Sequence, residues 1–440
     1  MAKEIIVVHG NNTLTGTVEV AGAKNSALKL IAASILAQGE CVLHNVPVIS
    51  DIEVMSEVLE VLGATVHRGG EGDEHTLYVD TANIDSYETP YELVSKMRAS
   101  ISVLGPLIGR FGNAYVAMPG GCQIGARKID MHLRGLESLG VEFSIDHGYL
   151  RAEAKNGLHG AHVVLDFPSV GATENLLMAS VVAEGTTVIA NAAREPEIMD
   201  LADMLNAMGA NVKDAGSSII TVEGVEVSSL HPCEHRTVGD RIEAGTFLAG
   251  GALTGGPLTV KGIKPDYLRM AIAKLREMGC VVDEAPDSIT VKRTEPLNPV
   301  EIQTLPHPGF PTDLQAQFML LASCAKGMSV ITENVFENRF MFAAELARMG
   351  ADILIEDHHA LVRGGRKLQG APVSSTDLRA GATLVLAGIV AEGETRVHKI
   401  NHIDRGYEDY VGKLRSLGAD VSREFPYKNY RTSVRLRSEE

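Results

Sequence analysis

Six copies of one short pattern run through the chain. Each is an apolar, helix-patterned segment that ends in Leu-Gly or Met-Gly and continues into another apolar stretch. The copies are Val58-Leu59-Glu60-Val61-Leu62-Gly63-Ala64, Gly135-Leu136-Glu137-Ser138-Leu139-Gly140-Val141, Met204-Leu205-Asn206-Ala207-Met208-Gly209-Ala210, Lys274-Leu275-Arg276-Glu277-Met278-Gly279-Cys280, Glu345-Leu346-Ala347-Arg348-Met349-Gly350-Ala351 and Lys413-Leu414-Arg415-Ser416-Leu417-Gly418-Ala419. Their glycines recur roughly 70 residues apart, a fixed period that marks repeated supersecondary units. Each copy reads as a helix, a glycine that ends it in a left-handed turn, and a strand. A second landmark lies upstream of each: a helix rich in small residues, a glycine, then a strand. The helix ending at Gly39 leads to Cys41-Val42-Leu43 and that ending at Gly185 leads to Thr187-Val188-Ile189; further copies end at Gly112, Gly256, Gly327 and Gly393. Alternating helices and strands with glycine stops specify an α/β fold.

Three units fit in each half of the chain, which predicts two three-unit domains with a cleft between them. The boundary is expected near Thr237-Val238-Gly239-Asp240, after the polar stretch His231-Pro232-Cys233-Glu234-His235. The strands at residues 5–8 and 17–20 precede the first full unit and are expected to complete the second domain. This gives one domain over 24–238 and a second from 1–23 with 239–440.

Composition narrows the function. With 440 residues there is room for two sizeable domains, and 45% apolar residues suit a globular chain. The formal charge of −16 disfavours nonspecific binding of nucleic acid or an anionic membrane. No apolar run is long enough to span a bilayer; the longest, 383–391, is about half the required length. The N-terminal Ile5-Ile6-Val7-Val8 run is too short for a signal peptide. Five cysteines (Cys41, Cys122, Cys233, Cys280, Cys324) and no CxxC pair fit a reduced, cytoplasmic compartment. The histidines have no HExxH spacing. His358 and His359, beside Glu356 and Asp357, read as surface rather than as a metal site.

An acidic chain can still take an anionic small molecule if its cations gather locally. About fourteen residues before each landmark glycine, where a helix should start, stand Lys24-Asn25, Arg98, the 171–175 segment, Arg241, Thr312-Asp313 and Asp377-Leu378-Arg379 for the first helices. Ser50-Asp51, Arg127, the 195–197 segment, Lys264, Arg339 and Asp404-Arg405 stand there for the second. Helix N-termini carry unpaired N–H groups and the positive dipole end, so a cation there is unfavourable by up to about 1 kcal/mol. Bound phosphate or carboxylate would compensate it. The acids at Asp51, Asp313 and Asp377 are also explained by helix capping alone.

The stretch Met118-Pro119-Gly120-Gly121-Cys122-Gln123-Ile124-Gly125-Ala126-Arg127-Lys128 departs from the repeat. It is too glycine-rich for a helix or strand interior and leads into a helix-patterned segment. The interval between Gly112 and Gly140 is the longest of the six, so the stretch is an insertion before a second helix. A thiol followed by two cations at a helix start is where a reactive cysteine is expected, an ordinary turn with a buried-type cysteine being the alternative. The setting describes a lid over an anion-binding cleft.

Taken in order, Gly22-Ala23-Lys24-Asn25-Ser26-Ala27, Met97-Arg98-Ala99-Ser100, Pro119-Gly120-Gly121-Cys122, Ala193-Arg194-Glu195-Pro196-Glu197, Phe310-Pro311-Thr312-Asp313-Leu314-Gln315, Glu337-Asn338-Arg339-Phe340, Thr376-Asp377-Leu378-Arg379-Ala380 and His402-Ile403-Asp404-Arg405-Gly406-Tyr407-Glu408 resemble the UDP-N-acetylglucosamine 1-carboxyvinyltransferase (enolpyruvyl transferase) family over essentially the whole chain. The resemblance implies two inside-out, barrel-like α/β domains, each of three repeated units, closing over a cleft. It implies transfer of the enolpyruvyl group of phosphoenolpyruvate to the 3′-hydroxyl of UDP-N-acetylglucosamine in the first committed step of peptidoglycan synthesis. No metal or cofactor, and neither nucleic acid nor membrane as partner, is implied.

Carried over position by position, the resemblance makes Cys122 the general acid at C3 of phosphoenolpyruvate and the thiol alkylated by fosfomycin. Lys24, Arg127 and Arg405 match the cations that hold phosphoenolpyruvate, and Asn25 matches a residue near the reacting centre. Arg98, the segment Arg127, Lys128, Ile129, Asp130 and Met131, the turn Ser169, Val170 and Gly171, and Val335 match positions around the UDP-sugar. Asp313 matches the carboxylate beside the 3′-hydroxyl, and Arg339, Asp377 and Arg379 match further cleft residues. Some family members have Lys where this chain has Ser50, which removes one auxiliary cation. The shikimate-type enolpyruvyl transferase is the nearest alternative, but its first phosphate motif carries Ser where Asn25 stands and it lacks a PGGC loop. A non-catalytic UDP-sugar-binding paralogue is the other.

Overall fold

The computed structural model describes residues 3–94, 97–118 and 129–425, with the side chains of 98–100 left aside. Six four-stranded sheets make up the strand content of these residues, all with one plan. In each, the strand after the first helix lies second in the order. A short parallel strand flanks it on one side, and two antiparallel strands follow on the other. The sequence period therefore corresponds to six copies of one helix-and-sheet unit.

Three strands come from outside their own unit. Ile5–His9 pairs with Glu394–His398 and Asp420–Glu424, filling the third place of the sixth sheet. Gly16–Glu19 lies parallel to Leu258–Lys261, at the edge of the fourth sheet. Glu234–Arg236 lies parallel to Glu40–His44, at the edge of the first. The last two exchanges bring the chain across from one half to the other at residues 20–23 and 237–240. These segments run side by side, with an antiparallel bridge between Gly22 and Gly239. Ala23 N–H donates to Val238 O at 2.7 Å and Asp240 N–H donates to Ala21 O at 2.9 Å.

The helices lie inside and the sheets outside. Arg241–Thr254, Gln315–Cys324 and Leu378–Val390 are buried almost all round and pack against one another, as expected of helices apolar on every face. Small residues make the close approach possible. A Cβ on Gly245 would stand 2.5 Å from Leu314 Cδ1, and one on Gly105 only 2.4 Å from Asn175 O. Buried apolar residues gather in two cores, one running from Ala27 to Leu230 and one combining Ile6 to Val20 with Ile242 to Val421.

The first helices start where the repeat places them, at Lys24, Arg98 (as a 3-10 turn), Val170, Arg241, Thr312 (a 3-10 turn) and Leu378. Several second helices do not. Arg405 ends the 3-10 segment Ile400–Arg405, and the helix Tyr410–Ser416 begins later, behind the Asp409 cap. Arg339 sits in turns before Ala343–Arg348, and Lys264 precedes the 3-10 segment Pro265–Leu268. The helix-dipole argument therefore does not apply to these three cations; side chains fix them instead.

Candidate active site

The crossing at residues 20–23 ends in the first site residue. Lys24 opens the helix Lys24–Ala33, and its backbone N–H donates to Asp240 Oδ2 at 3.2 Å. Its ammonium lies 2.7 Å from Asp51 Oδ2 and is 8% exposed. Asp51, in the first turn of Ser50–Val61, also accepts from Arg405 Nε at 2.9 Å and Nη2 at 3.2 Å. Lys24 and Asp51 belong to the half of the chain with the first core, Arg405 to the other. Burial, aided by Arg405 and Arg379, lowers the Lys24 ammonium below its ordinary value despite Asp51. Burial pushes the Asp51 carboxyl up, but Lys24 and Arg405 outweigh it and hold it below the usual carboxylate value.

A second cluster adjoins the first. Asp313 lies in the 3-10 turn Thr312–Leu314, where its carboxylate accepts from Arg339 Nη2 at 2.8 Å and Arg379 Nε at 3.3 Å. The Arg379 guanidinium, 2% exposed, stacks 5.2 Å from the Tyr407 ring centre, two residues after Arg405. Its Nη1 is buried without a hydrogen-bond partner among the described residues. Lys24, Arg339, Arg379 and Arg405 thus face two carboxylates, Asp51 and Asp313, leaving a positive excess inside an acidic protein. Beside them a further ion pair joins the halves as Asp51–Arg405 does, with Arg241 Nε donating to Glu197 Oε1 at 3.0 Å and Oε2 at 3.2 Å. At Lys24, Arg241 and Arg379, which do stand in first turns, the compensation expected of bound anions is thus largely supplied by the chain's own carboxylates.

The remaining predicted residues fall as follows. Asn25 is half-buried in the first turn beside Lys24. Asp377 caps Leu378–Val390, accepting from Arg379 N–H at 2.8 Å and Ala380 N–H at 3.1 Å, so its carboxylate is engaged as a cap. Ser169 caps Val170–Ser180, placing Val170 and Gly171 in the first turn. Ile129 precedes Asp130–Ser138, where Asp130 pairs with exposed Arg134 at 3.2 Å and Met131 is half-buried. Arg98 begins the 3-10 turn Arg98–Val103, with its side chain outside the description. Cys122, Arg127 and Lys128 lie outside the described residues.

Glu333 is a residue that sequence reading missed. It is 4% exposed, and its carboxylate accepts from Thr304 Oγ1 (2.9 Å), Thr312 Oγ1 (2.8 Å), Val335 N–H (2.8 Å) and Phe336 N–H (3.1 Å). It thereby ties the turn of Asp313 to the loop that carries Val335 and Arg339. No local pattern announces it, because its partners come from three separate stretches.

Six units with helices inside and sheets outside, and a cation-lined junction between two halves, fit the enolpyruvyl transferase resemblance, and comparison with known proteins shows that class. The family model described as EPSP synthase (3-phosphoshikimate 1-carboxyvinyltransferase) matches residues 8–414. The enolpyruvyl transferase NikO of Streptomyces tendae superposes with a TM-score of 0.87 at 30% identity, over 97% of this chain and 100% of that one. EPSP synthase of Acinetobacter baumannii, at 17% identity and TM-score 0.72 over 96% and 100% of the two chains, shares the fold. The UDP-N-acetylglucosamine 1-carboxyvinyltransferase of Desulfatibacillum aliphaticivorans is 51% identical over 95% of this chain and 99% of its own. An enzyme of that name, number 2, from Staphylococcus saprophyticus is 50% identical over 96% and 99%. The chain belongs to the UDP-N-acetylglucosamine 1-carboxyvinyltransferase family, transferases of peptidoglycan synthesis. Among the described residues no helix is long and apolar enough to cross a membrane.

Proposed function

We propose that the two halves, 24–238 and 1–23 with 239–440, close on phosphoenolpyruvate and UDP-N-acetylglucosamine in the cytoplasm and join them at the 3′-hydroxyl. The observation that carries this reading is the junction itself. Lys24 and Arg405, from opposite halves, share one carboxylate, and the Asp313 cluster adjoins them. Phosphate and carboxylate of phosphoenolpyruvate lie against Lys24, Arg405 and Arg127, a charge-assisted arrangement that stabilises departing phosphate. Asn25 stands at the reacting centre. Arg98, Lys128, Ile129, Asp130, Met131, Ser169, Val170, Gly171 and Val335 surround the UDP-sugar, with Arg339, Asp377 and Arg379 holding the cleft around Asp313.

The chemistry is addition followed by elimination. Asp313 takes the 3′-hydroxyl proton as the sugar oxygen bonds to C2 of phosphoenolpyruvate, while the Cys122 thiol delivers a proton to C3. Loss of a C3 proton and of phosphate then restores the double bond as an enol ether. Arg127 and Lys128, which follow the thiol closely in sequence, bring its pKa toward working pH, where it can both give and regain the proton.

Phosphate release, measured with phosphoenolpyruvate and either UDP-N-acetylglucosamine or shikimate 3-phosphate, tests the reading. Release with the UDP-sugar alone, lost in Cys122→Ala and Asp313→Ala, is expected. Release with shikimate 3-phosphate alone would assign the alternative substrate. UDP-sugar binding without any release would make the chain a binding paralogue.

A further inference from the structure

Two cysteines that the transfer reaction does not use lie side by side. Glu234–Arg236 runs parallel to Glu40–His44, with Glu234 opposite Val42 and His235 opposite Leu43. One residue earlier the ladder continues, with Val42 N–H donating to Cys233 O at 3.0 Å. This places Cys233 beside Cys41 on the neighbouring strand. Adjacent strands lie about 4.8 Å apart, within the Cα separation of about 4.4–6.8 Å that a disulfide spans. Both side chains point to the same face, toward the first core: Cys41 is fully buried in it and Cys233 packs against it half-buried. The two thiols lie close enough to shift each other's titration, and the Cys233 thiol also donates to Met204 O at 3.9 Å.

The other described thiols have no such arrangement. Cys280 is buried in the second core and Cys324 packs against it half-buried, and desolvation pushes each up to about 11. Cys41 differs. Interaction with the Cys233 thiol outweighs burial and lowers it, with the Cys233 thiol pushed up in return. The pair releases its first proton as a unit, more readily than an isolated buried thiol would.

We propose that Cys41 and Cys233 form a reversible disulfide site, closed by exchange with a small-molecule disulfide. The pair loses one proton and its two sulfurs share the one that remains. When that proton sits on Cys41 and the half-buried Cys233 sulfur carries the charge, the Cys233 thiolate attacks one sulfur of the reagent. An S–S bond forms and one small thiolate leaves, taking up the proton of Cys41. Cys41 then attacks the Cys233 sulfur of the mixed disulfide, expelling the second. Two protein thiols and one small disulfide give one protein disulfide and two small thiols, the two protein protons going to the products. The link fastens the exchanged strand Glu234–Arg236, and with it the start of the 237–240 crossing, to its own sheet. It closes a loop that spans nearly the whole first core, the geometry in which a cross-link most restricts the unfolded chain.

The full chain is incubated with oxidised glutathione, its remaining thiols are alkylated under denaturing conditions, and its peptides are mapped. A Cys122→Ser variant run in parallel removes the other reactive thiol from the map. The expected result is a joined peptide pair carrying Cys41 and Cys233, with Cys280 and Cys324 alkylated. The joined pair should vanish with dithiothreitol, and the oxidised chain should melt several degrees higher than the reduced one. In Cys233→Ser both the joined pair and the melting shift should disappear. Full alkylation of Cys41 and Cys233 after oxidation, stable single glutathione adducts, or joining of either to another cysteine would each overturn the proposal.

Discussion

Asp51 grips Arg405 from the opposite half of the molecule, its two oxygens 2.9 and 3.2 Å from Nε and Nη2, while holding the Lys24 ammonium at 2.7 Å. One buried carboxylate thus sets the spacing of two cations whose elements meet only when the halves are together. Removing it leaves Lys24 buried and unpaired, and breaking such a pair costs about 3 kcal/mol or more. Asp51→Ala should lower unfolding stability by that order in a denaturant titration. It should also reduce kcat/KM for phosphoenolpyruvate by about a hundredfold, the equivalent of about 3 kcal/mol. A variant with unchanged stability and kinetics would remove Asp51 from the site.

Lys24 gives the pH dependence. Its ammonium is lowered from 10.5 by burial, with Arg405 and Arg379 adding to the effect. Substrate anions need the charged form, so kcat/KM for phosphoenolpyruvate should fall as pH rises through this lowered value, giving an alkaline limb below that of an ordinary lysine. A guanidinium does not deprotonate in this range. Lys24→Arg should therefore move the limb to higher pH, even if its maximum rate is lower. An alkaline limb at the same pH in both proteins would assign it to another group.

The repeat was legible because each unit carries its own punctuation. A glycine with positive φ must end each second helix, as at Gly63, Gly140 and Gly209, and the apolar strand follows at once. The exchange of edge strands was less legible. Glu234-His235-Arg236 has no strand pattern of its own, and its place is decided by the partner strand Glu40–His44. Lys24 and Asp313 could be picked out because each stands about fourteen residues before a landmark glycine, Gly39 and Gly327, where a first helix starts. Asp51 as a bridge and Glu333 as an anchor could not, because contacts with residues far away in sequence define them.

Glu333 supplies the next expectation. Its four hydrogen bonds hold the Asp313 turn and the Val335 loop in one register. Glu333→Ala should raise KM for UDP-N-acetylglucosamine about tenfold, with kcat falling as Asp313 loses its position. KM for phosphoenolpyruvate should move little, since the Lys24 cluster is untouched. Glu333→Gln keeps acceptor capacity at one oxygen and should recover part of the loss. Equal losses for both substrates, with no recovery in the glutamine variant, would mean a general folding defect instead.

Glu174, one turn into the helix Val170–Ser180, makes stability itself depend on pH. It is fully buried on Val170–Ser180, 2.9 Å from Lys29 Nζ, and burial raises its carboxyl to about 7 in spite of that lysine. The unfolded carboxyl loses its proton near 4.5. Between these values the folded chain binds more protons than the unfolded one, so this group's contribution is fully present below 4.5 and is lost as pH rises through 7. The loss is about 3 kcal/mol at about 1.4 kcal/mol per pH unit. Glu174→Gln cannot titrate. Whatever its constant offset, the unfolding free energy of the native chain minus that of the variant should fall by this amount between pH 5 and about pH 8, because every other titrating group cancels in the difference. A difference that stays flat across that interval would show that the Lys29 pair keeps Glu174 ionised throughout.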